Sequence, residues 1–206
     1  MTAARVRSSS PDAAAAKVKR HPDDWYPTPE PVTRALLHHW TFWAGPDVLS
    51  PVWEPACGDC RMANVIADKG YAVIGTDLVF RGGIGQGGID FLLEQRPLAP
   101  TIITNPPFKL ASAFARHALS LRPQHVAMLL PIGFLGGQWR GRNLWTAFPE
   151  FGAPQLLVSL RRFSMWPGDA EIPVDAGSTN MDFAWFIWSR MAMAGPPRWF
   201  DWKDFQ

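Results

Sequence analysis

Asn105-Pro106-Pro107-Phe108 combines residue types that can act on an amino group. A proline disfavours helix in the residue before it, so Asn105 and Pro106 are both pushed toward extended geometry. Neither proline has an N–H, and the turn cannot close on ladder bonds of its own. The expected product is a stiff corner whose Asn105 amide oxygen and Pro106 carbonyl point together into a pocket. Two adjacent acceptors suit an exocyclic NH2 group, whose lone pair is delocalised into a ring. Accepting both hydrogens favours a pyramidal nitrogen and frees that lone pair. It also stabilises positive charge as an electrophilic carbon arrives, an oxyanion hole with its polarity inverted. Phe108 offers a face for a planar substrate, worth about 1–3 kcal/mol per base. A rigid turn that only ends a strand is the plainer reading of the same four residues.

Upstream, Glu54-Pro55-Ala56-Cys57-Gly58-Asp59-Cys60 supports two machines. Cys57 and Cys60 have the spacing of a redox dithiol at a helix start. The same stretch reads as a strand entering a turn that cradles a nucleotide cofactor, with Gly58 letting the backbone approach a ligand. Asp77, followed by Leu78, ends the next strand, where a carboxylate can accept from both hydroxyls of a ribose. A pyrophosphate loop needs more glycines than this turn has, and Glu54 would repel phosphate. The pattern therefore favours an adenosine cofactor with a positive or zwitterionic remainder, and S-adenosylmethionine fits. A dithiol would leave Asp77 and the Asn105 corner without a role. Zinc is disfavoured because two cysteines supply half a tetrahedral site. Cys57 and Cys60 are expected to be small buried hydrophobes.

The elements that must position these residues alternate. After three clustered prolines, Val32, Leu36, Leu37 and Trp40 recur at helical spacing, with Pro31 suited to the first turn. Residues 51–55 read as a strand and residues 58–70 as a helix ending near Gly70. Residues 71–78 read as a buried strand, and a glycine-rich connection leads to a short edge element near Ile89. Residues 101–108 form another buried strand, followed by a helix over 109–121 with Leu110, Phe114 and Leu121 inward. A third buried strand covers 125–131. Residues 155–160 and 181–189 are further strands, expected as an antiparallel pair at the sheet edge. Such alternation predicts an α/β fold with a doubly wound sheet.

At 206 residues the chain suits one domain, here residues 23–206, with hydrophobic content of 47% and charge content of 18%. The net charge of +2 does not by itself imply nucleic acid. Local excess says more: Arg5, Arg7, Lys17, Lys19 and Arg20 crowd a basic segment 1–22 expected to be a disordered tail, and Arg140, Arg142, Arg161 and Arg162 cluster later. No apolar run approaches a bilayer span, and no apolar signal core is present near the start. Two cysteines fit a reducing, cytoplasmic location. Some of the 11 tryptophans must fill the core while others can stack on a ligand.

In order, Tyr26-Pro-Thr28-Pro29, Glu54 to Gly58, Asp77, Asp90-Phe91 and Asn105 to Phe108 resemble the N6-adenine amino-methyltransferases, and among them the small phage- and prophage-type DNA adenine methyltransferases. The resemblance covers residues 25–131, and residues 177–188 also resemble the tail of the prophage group. It implies a Rossmann-like class I methyltransferase fold, a mostly parallel central sheet with an antiparallel edge strand and helices on both faces. It implies that Thr28 and Glu54 hold the methionine end of S-adenosylmethionine and that Tyr26 also belongs to the cofactor site. Asp77 would bind the ribose, and Asp90 would accept from the cofactor's adenine amino group with Phe91 on its ring. Thr28 as a helix N-cap, and Asp90-Phe91 as a turn and a core phenylalanine, are the plainer alternatives.

The implied activity is methylation of adenine N6 in DNA, on a base taken out of its stack. The same corner also serves RNA bases, including guanine N2 and adenine N6, and glutamine amides in proteins. A catalytically inactive nucleic-acid-binding module is the reading from another class. Cys60 departs from the pattern, which often has a second glycine there. No segment has the length of a separate target-recognition domain, so DNA specificity would fall to residues 133–167, the 171–180 loop and the tails. Arg140, Arg142 and Trp139 are candidate contacts, with Trp139 equally suited to the core.

Overall fold

The computed structural model describes residues 21–44, 51–170, 181–191 and 194–206. The helix predicted from Val32, Leu36, Leu37 and Trp40 is α1 (Glu30–Ala44), and all four side chains are buried. β1 (Val52–Glu54), α2 (Arg61–Asp68) and β2 (Val73–Gly75) follow, then β3 (Thr101–Thr104), α3 (Ala111–Ser120) and β4 (His125–Pro131). α2 is closed by Gly70 at φ +89°, the left-handed exit that glycine adopts without a Cβ penalty. The remaining strands are β5 (Gln155–Ser159), β6 (Phe183–Ser189) and β7 (Arg198–Phe200).

The seven strands form one sheet in the order β2-β1-β3-β4-β6-β5-β7. β2, β1, β3 and β4 are parallel, joined by crossovers through α2 and α3 and, between β2 and β3, by the long glycine-rich connection. β6 runs antiparallel to both β4 and β5, so the expected antiparallel pair forms. It is not the rim: β7 adds outside β5 in parallel, and the reversed strand lies inside the sheet. β7 is only three residues long, too short for its alternation to stand out in the sequence.

Period-two alternation sorts the sheet into two faces. Ala127, Leu129, Phe183, Trp185 and Ile187 join the core beneath α1 and α2. Val126, Met128, Leu130, Ala184, Phe186 and Trp188 join the core beneath α3. Helices therefore cover both faces. Trp53, Trp185 and Trp188 are fully buried, which places much of the tryptophan content in the core. The Trp185 indole N–H donates to the Val32 carbonyl at 3.2 Å and ties α1 to the sheet, a bond worth about 1 kcal/mol net.

Several expectations need correction. β2 is not a buried strand: it is the sheet edge, and Ile74 is exposed. No strand forms near Ile89; the glycine-rich connection makes a single bridge, Thr76 to Gln86. Leu110 is exposed at the entrance to α3, although Phe114 is buried. Of the expected tail, residues 1–20 lie outside the described residues, while His21 and Pro22 belong to the fold. His21 lies 3.6 Å from the Asp169 carboxylate, and Pro22 lines the main pocket. The 171–180 loop also lies outside the described residues. Among those described, no helix is long and apolar enough to cross a membrane.

Candidate functional site

β1 and β3 are neighbours in space, with β2 and β4 outside them, so the strand order reverses at β1 and leaves a crevice beyond the strand ends. A pocket of about 360 Å³ opens there, within the range of small-molecule sites. Glu54 closes β1 at its floor and is 2% exposed. The Ala63 backbone N–H in the first turn of α2 donates to its carboxylate, while Oε2 is buried without a partner. Burial pushes the Glu54 carboxyl well above the usual carboxylate range; the Ala63 bond opposes the shift, and Asp59 and Asp77 add to it.

Gly58 sits at φ +54° in the turn between β1 and α2. Its N–H donates to Asp77 Oδ2 at 2.8 Å, which couples the turn to the end of β2. Asp77 Oδ1 accepts from the Val79 N–H at 2.9 Å and from Arg81 at 3.4 Å. A carboxylate has about four lone-pair sites, so Asp77 retains room for about one further donor unless Arg81 yields. Pro55, Ala56, Cys57 and Leu78 also line the pocket.

The cysteines are inert packing. Cys57 and Cys60 are buried free thiols with sulfurs 3.7 Å apart. Burial pushes the Cys57 thiol up, with Glu54 next in effect, opposite to the lowered pKa that a reactive dithiol needs. Cys60 takes φ 63°, the conformation glycine holds most cheaply. The glycine-rich connection answers to these sulfurs: a Cβ on Gly85 would lie 2.5 Å from Cys57 Sγ and 2.9 Å from Cys60 Sγ.

At the end of β3, Asn105 lines the same pocket. Its Nδ2 donates to the Tyr26 carbonyl at 2.9 Å and contacts Met165 Sδ at 3.6 Å. Oδ1 is buried without a partner, an acceptor held ready. Pro107 lines the pocket with Asn105, whereas Pro106 is buried behind it. Phe108 does not present the open face expected of it. Its ring is half-buried, near-parallel to Tyr26 with centroids 6.1 Å apart, and packed on Phe183 at 5.7 Å. Trp25, Tyr26, Phe91 and Phe114 are the aromatic residues that line the pocket.

Thr28 lines the pocket and is 4% exposed; α1 starts at Glu30, so the residue preceding the helix is Pro29 rather than Thr28. Asp90 lines the pocket while its Oδ1 accepts from the Leu92 N–H at 3.0 Å. Phe91 reaches the pocket but is chiefly core: it is 2% exposed, with its ring edge-on to Trp53 at 5.2 Å. Both plainer readings of this pair thus hold alongside the site position.

Trp25 and Arg81 are site residues that sequence reasoning missed. A Cβ on Gly58 would lie 2.6 Å from Trp25 Nε1, and one on Gly168 would lie 2.5 Å from the Trp25 ring. Arg81 lies over that ring at 4.7 Å and pairs with Asp23 at 2.8 Å. Asp24 Oδ2 accepts from the Lys109 N–H at 2.9 Å. Together these contacts strap residues 21–28 across the pocket. Only the run of aromatic and acidic residues from Asp23 to Tyr26 hinted at it.

Similar architecture occurs in solved structures at low sequence identity. A protein assigned as an RNA methyltransferase from Pyrococcus horikoshii matches with a TM-score of 0.59 at 15% identity, covering 86% of this chain and 94% of that one. A type I restriction-modification methyltransferase subunit from Streptococcus thermophilus matches with a TM-score of 0.58 at 15% identity, over 80% of this chain and 44% of that one. Magnesium protoporphyrin IX methyltransferase from Synechocystis, solved with S-adenosylmethionine bound, matches with a TM-score of 0.51 at 14% identity, over 78% of this chain and 79% of that one. The fold is that of the class I methyltransferases. The pocket described above lies beyond the carboxyl ends of β1, β2 and β3, where such α/β sheets bind ligands. No family model and no curated protein matches the sequence.

Proposed function

We propose that this chain transfers a methyl group from S-adenosylmethionine to the N6 amino group of adenine in DNA. The observation that carries the reading is Asn105, whose carboxamide is oriented by the Tyr26 carbonyl so that Oδ1 remains a buried acceptor without a partner. It stands on the wall of the pocket that also holds Glu54 and Asp77. A pocket with a buried, unpartnered carboxylate oxygen suits a cationic ligand and disfavours a phosphate. S-adenosylmethionine fits that requirement and supplies a methyl group on a positively charged sulfur.

In this reading Glu54 and Thr28 hold the methionine ammonium end, Asp77 takes a ribose hydroxyl, and Asp90 faces the cofactor's adenine amino group. Asn105 Oδ1 accepts a hydrogen of the acceptor nitrogen, concentrating its lone pair for in-line attack; Pro106, buried behind the wall, does not supply the second acceptor expected of it. The nitrogen–carbon bond forms as the carbon–sulfur bond breaks; the sulfur leaves neutral and the nitrogen then releases one proton. Tyr26, backed by Phe108, bounds the pocket beside Asn105. DNA is preferred as acceptor because the motif order resembles DNA adenine methyltransferases.

Incubation with methyl-labelled S-adenosylmethionine and a mixture of DNA, RNA and protein tests the assignment directly. Label in N6-methyladenine of DNA is expected; label in guanine, RNA or glutamine reassigns the acceptor. Asn105→Ala should keep cofactor affinity and lose about 10²–10³ in turnover, as for removal of one preorganised polar partner. Retained turnover would remove Asn105 from the chemistry.

A further inference from the structure

A second groove, of about 790 Å³, lies beside the main pocket and shares Lys109 with it. One wall is a face of α3: Ser112, Arg116 and Ser120 recur at helical spacing and follow Lys109. The opposite wall carries Trp139 and Arg140. No carboxylate lines the groove. Among the described residues, neither Lys109 nor Arg116 forms an ion pair, and both are exposed. Trp139 is 49% exposed.

Three arginines of the 133–165 stretch are already committed. Arg161 pairs with Asp201 and Arg162 with Asp182. Arg140 bonds the Gly136 carbonyl and lies over the Phe134 ring at 4.8 Å, so it contributes charge from a fixed position. Within the groove the uncommitted charge is that of Lys109 and of Arg116 on α3, which leads away from the Asn105 corner.

We infer that this groove receives the nucleic-acid strand flanking the acceptor base, with Lys109 and Arg116 on phosphates and Trp139 stacked on an unpaired base. The inference rests on the methyl-transfer reading for the base in the main pocket, and adds the path of the strand. α3 has 10 residues and is about 15 Å long, so this wall can follow a strand beyond the acceptor base. An acidic peptide would satisfy the cations but leave the tryptophan face unused. A nucleic-acid strand uses both.

The test is binding of a short single-stranded DNA of mixed sequence to the full chain, followed by fluorescence anisotropy at several salt concentrations. Arg116→Ala should weaken binding and lower the log–log salt slope by about 0.7, the share of one single-strand phosphate contact. Trp139→Ala should weaken binding by about 5- to 100-fold while leaving the salt slope unchanged. Cofactor affinity, read by calorimetry, should be unchanged in both variants and certifies that they are folded. Affinity and slope indifferent to both substitutions would overturn the groove, as would displacement of the DNA by polyglutamate at equal charge concentration. DNA binding through Arg116 without methyl transfer would instead overturn the function and leave the groove standing. Adenine methylation by a protein whose DNA binding ignores both substitutions would do the reverse.

Discussion

At Glu54 the fold holds a carboxyl that is 2% exposed, with one backbone N–H directed at it and Oε2 without a partner. Burial raises its pKa, so the folded protein keeps this proton to higher pH than the unfolded chain does. This group's effect on stability is therefore favourable at low pH and fades as pH rises through the folded value. Ligand binding has the opposite sign: a cationic ammonium selects the ionised form, so affinity for S-adenosylmethionine should rise with pH over the same window. Calorimetry across that range checks it. Glu54→Gln should remove the pH dependence and weaken binding by about tenfold or more, the worth of a charge-assisted hydrogen bond. A wild-type affinity that is flat with pH would contradict the role. The convergence of Glu54, Asp77 and Asn105 on one pocket was legible in the sequence because each sits at or just past a strand end. Trp25 was not, since only Gly58 and Gly168, remote in the chain, reveal what its ring occupies. Phe108 was misread for the same reason: Tyr26 and Phe183 take up its surroundings from distant segments.

Between β2 and the Phe91–Leu93 turn, the chain uses glycines to pass close to sulfur rather than to phosphate. Gly85→Ala would bring a Cβ within 2.5 Å of Cys57 Sγ. Overpacking of this kind costs about 1–3 kcal/mol, and a protein of this size loses roughly 2–4 °C of melting temperature per kcal/mol. Thermal denaturation should show that loss together with weaker cofactor binding, because Cys57 precedes Gly58 in the ligand turn. Unchanged melting would mean that the connection is free to move off the cysteines. The helices and the strands β3, β4 and β6 were readable because apolar residues repeat at their periods over many positions. β2 is three residues long and half-exposed; an edge strand carries too little pattern for its place in the sheet to be inferred. Leu110 lies at the approach to α3, where the turn from Phe108 to Leu110 breaks the helical phase that would have turned it inward.

For the molecule as a whole, acid tolerance should be set in part by His125 at the start of β4. It is 2% exposed and stands edge-on to Trp40 at 5.4 Å, with both ring nitrogens buried and unpartnered. Burial lowers its pKa from 6.5 to about 4. Between those values the unfolded chain binds a proton that the folded protein refuses, so stability falls as pH drops, by up to about 1.4 kcal/mol per pH unit. Urea denaturation at several pH values should show this slope, and His125→Leu should flatten it; an equal slope in that variant would locate the effect elsewhere. The doubly wound plan followed from the alternation of elements. The sheet's outer side did not, because β7 joins β5 only after an intervening reversed strand. The clamp on Trp25 carries one more consequence, for synthesis. The indole leaves the ribosome before Gly168, whose missing side chain makes room for it and which arrives only after β5 has been made. A chain released or cut between those points should retain a half-built sheet and an unsealed cleft, so nascent copies must extend past Gly168 before they can retain a nucleoside.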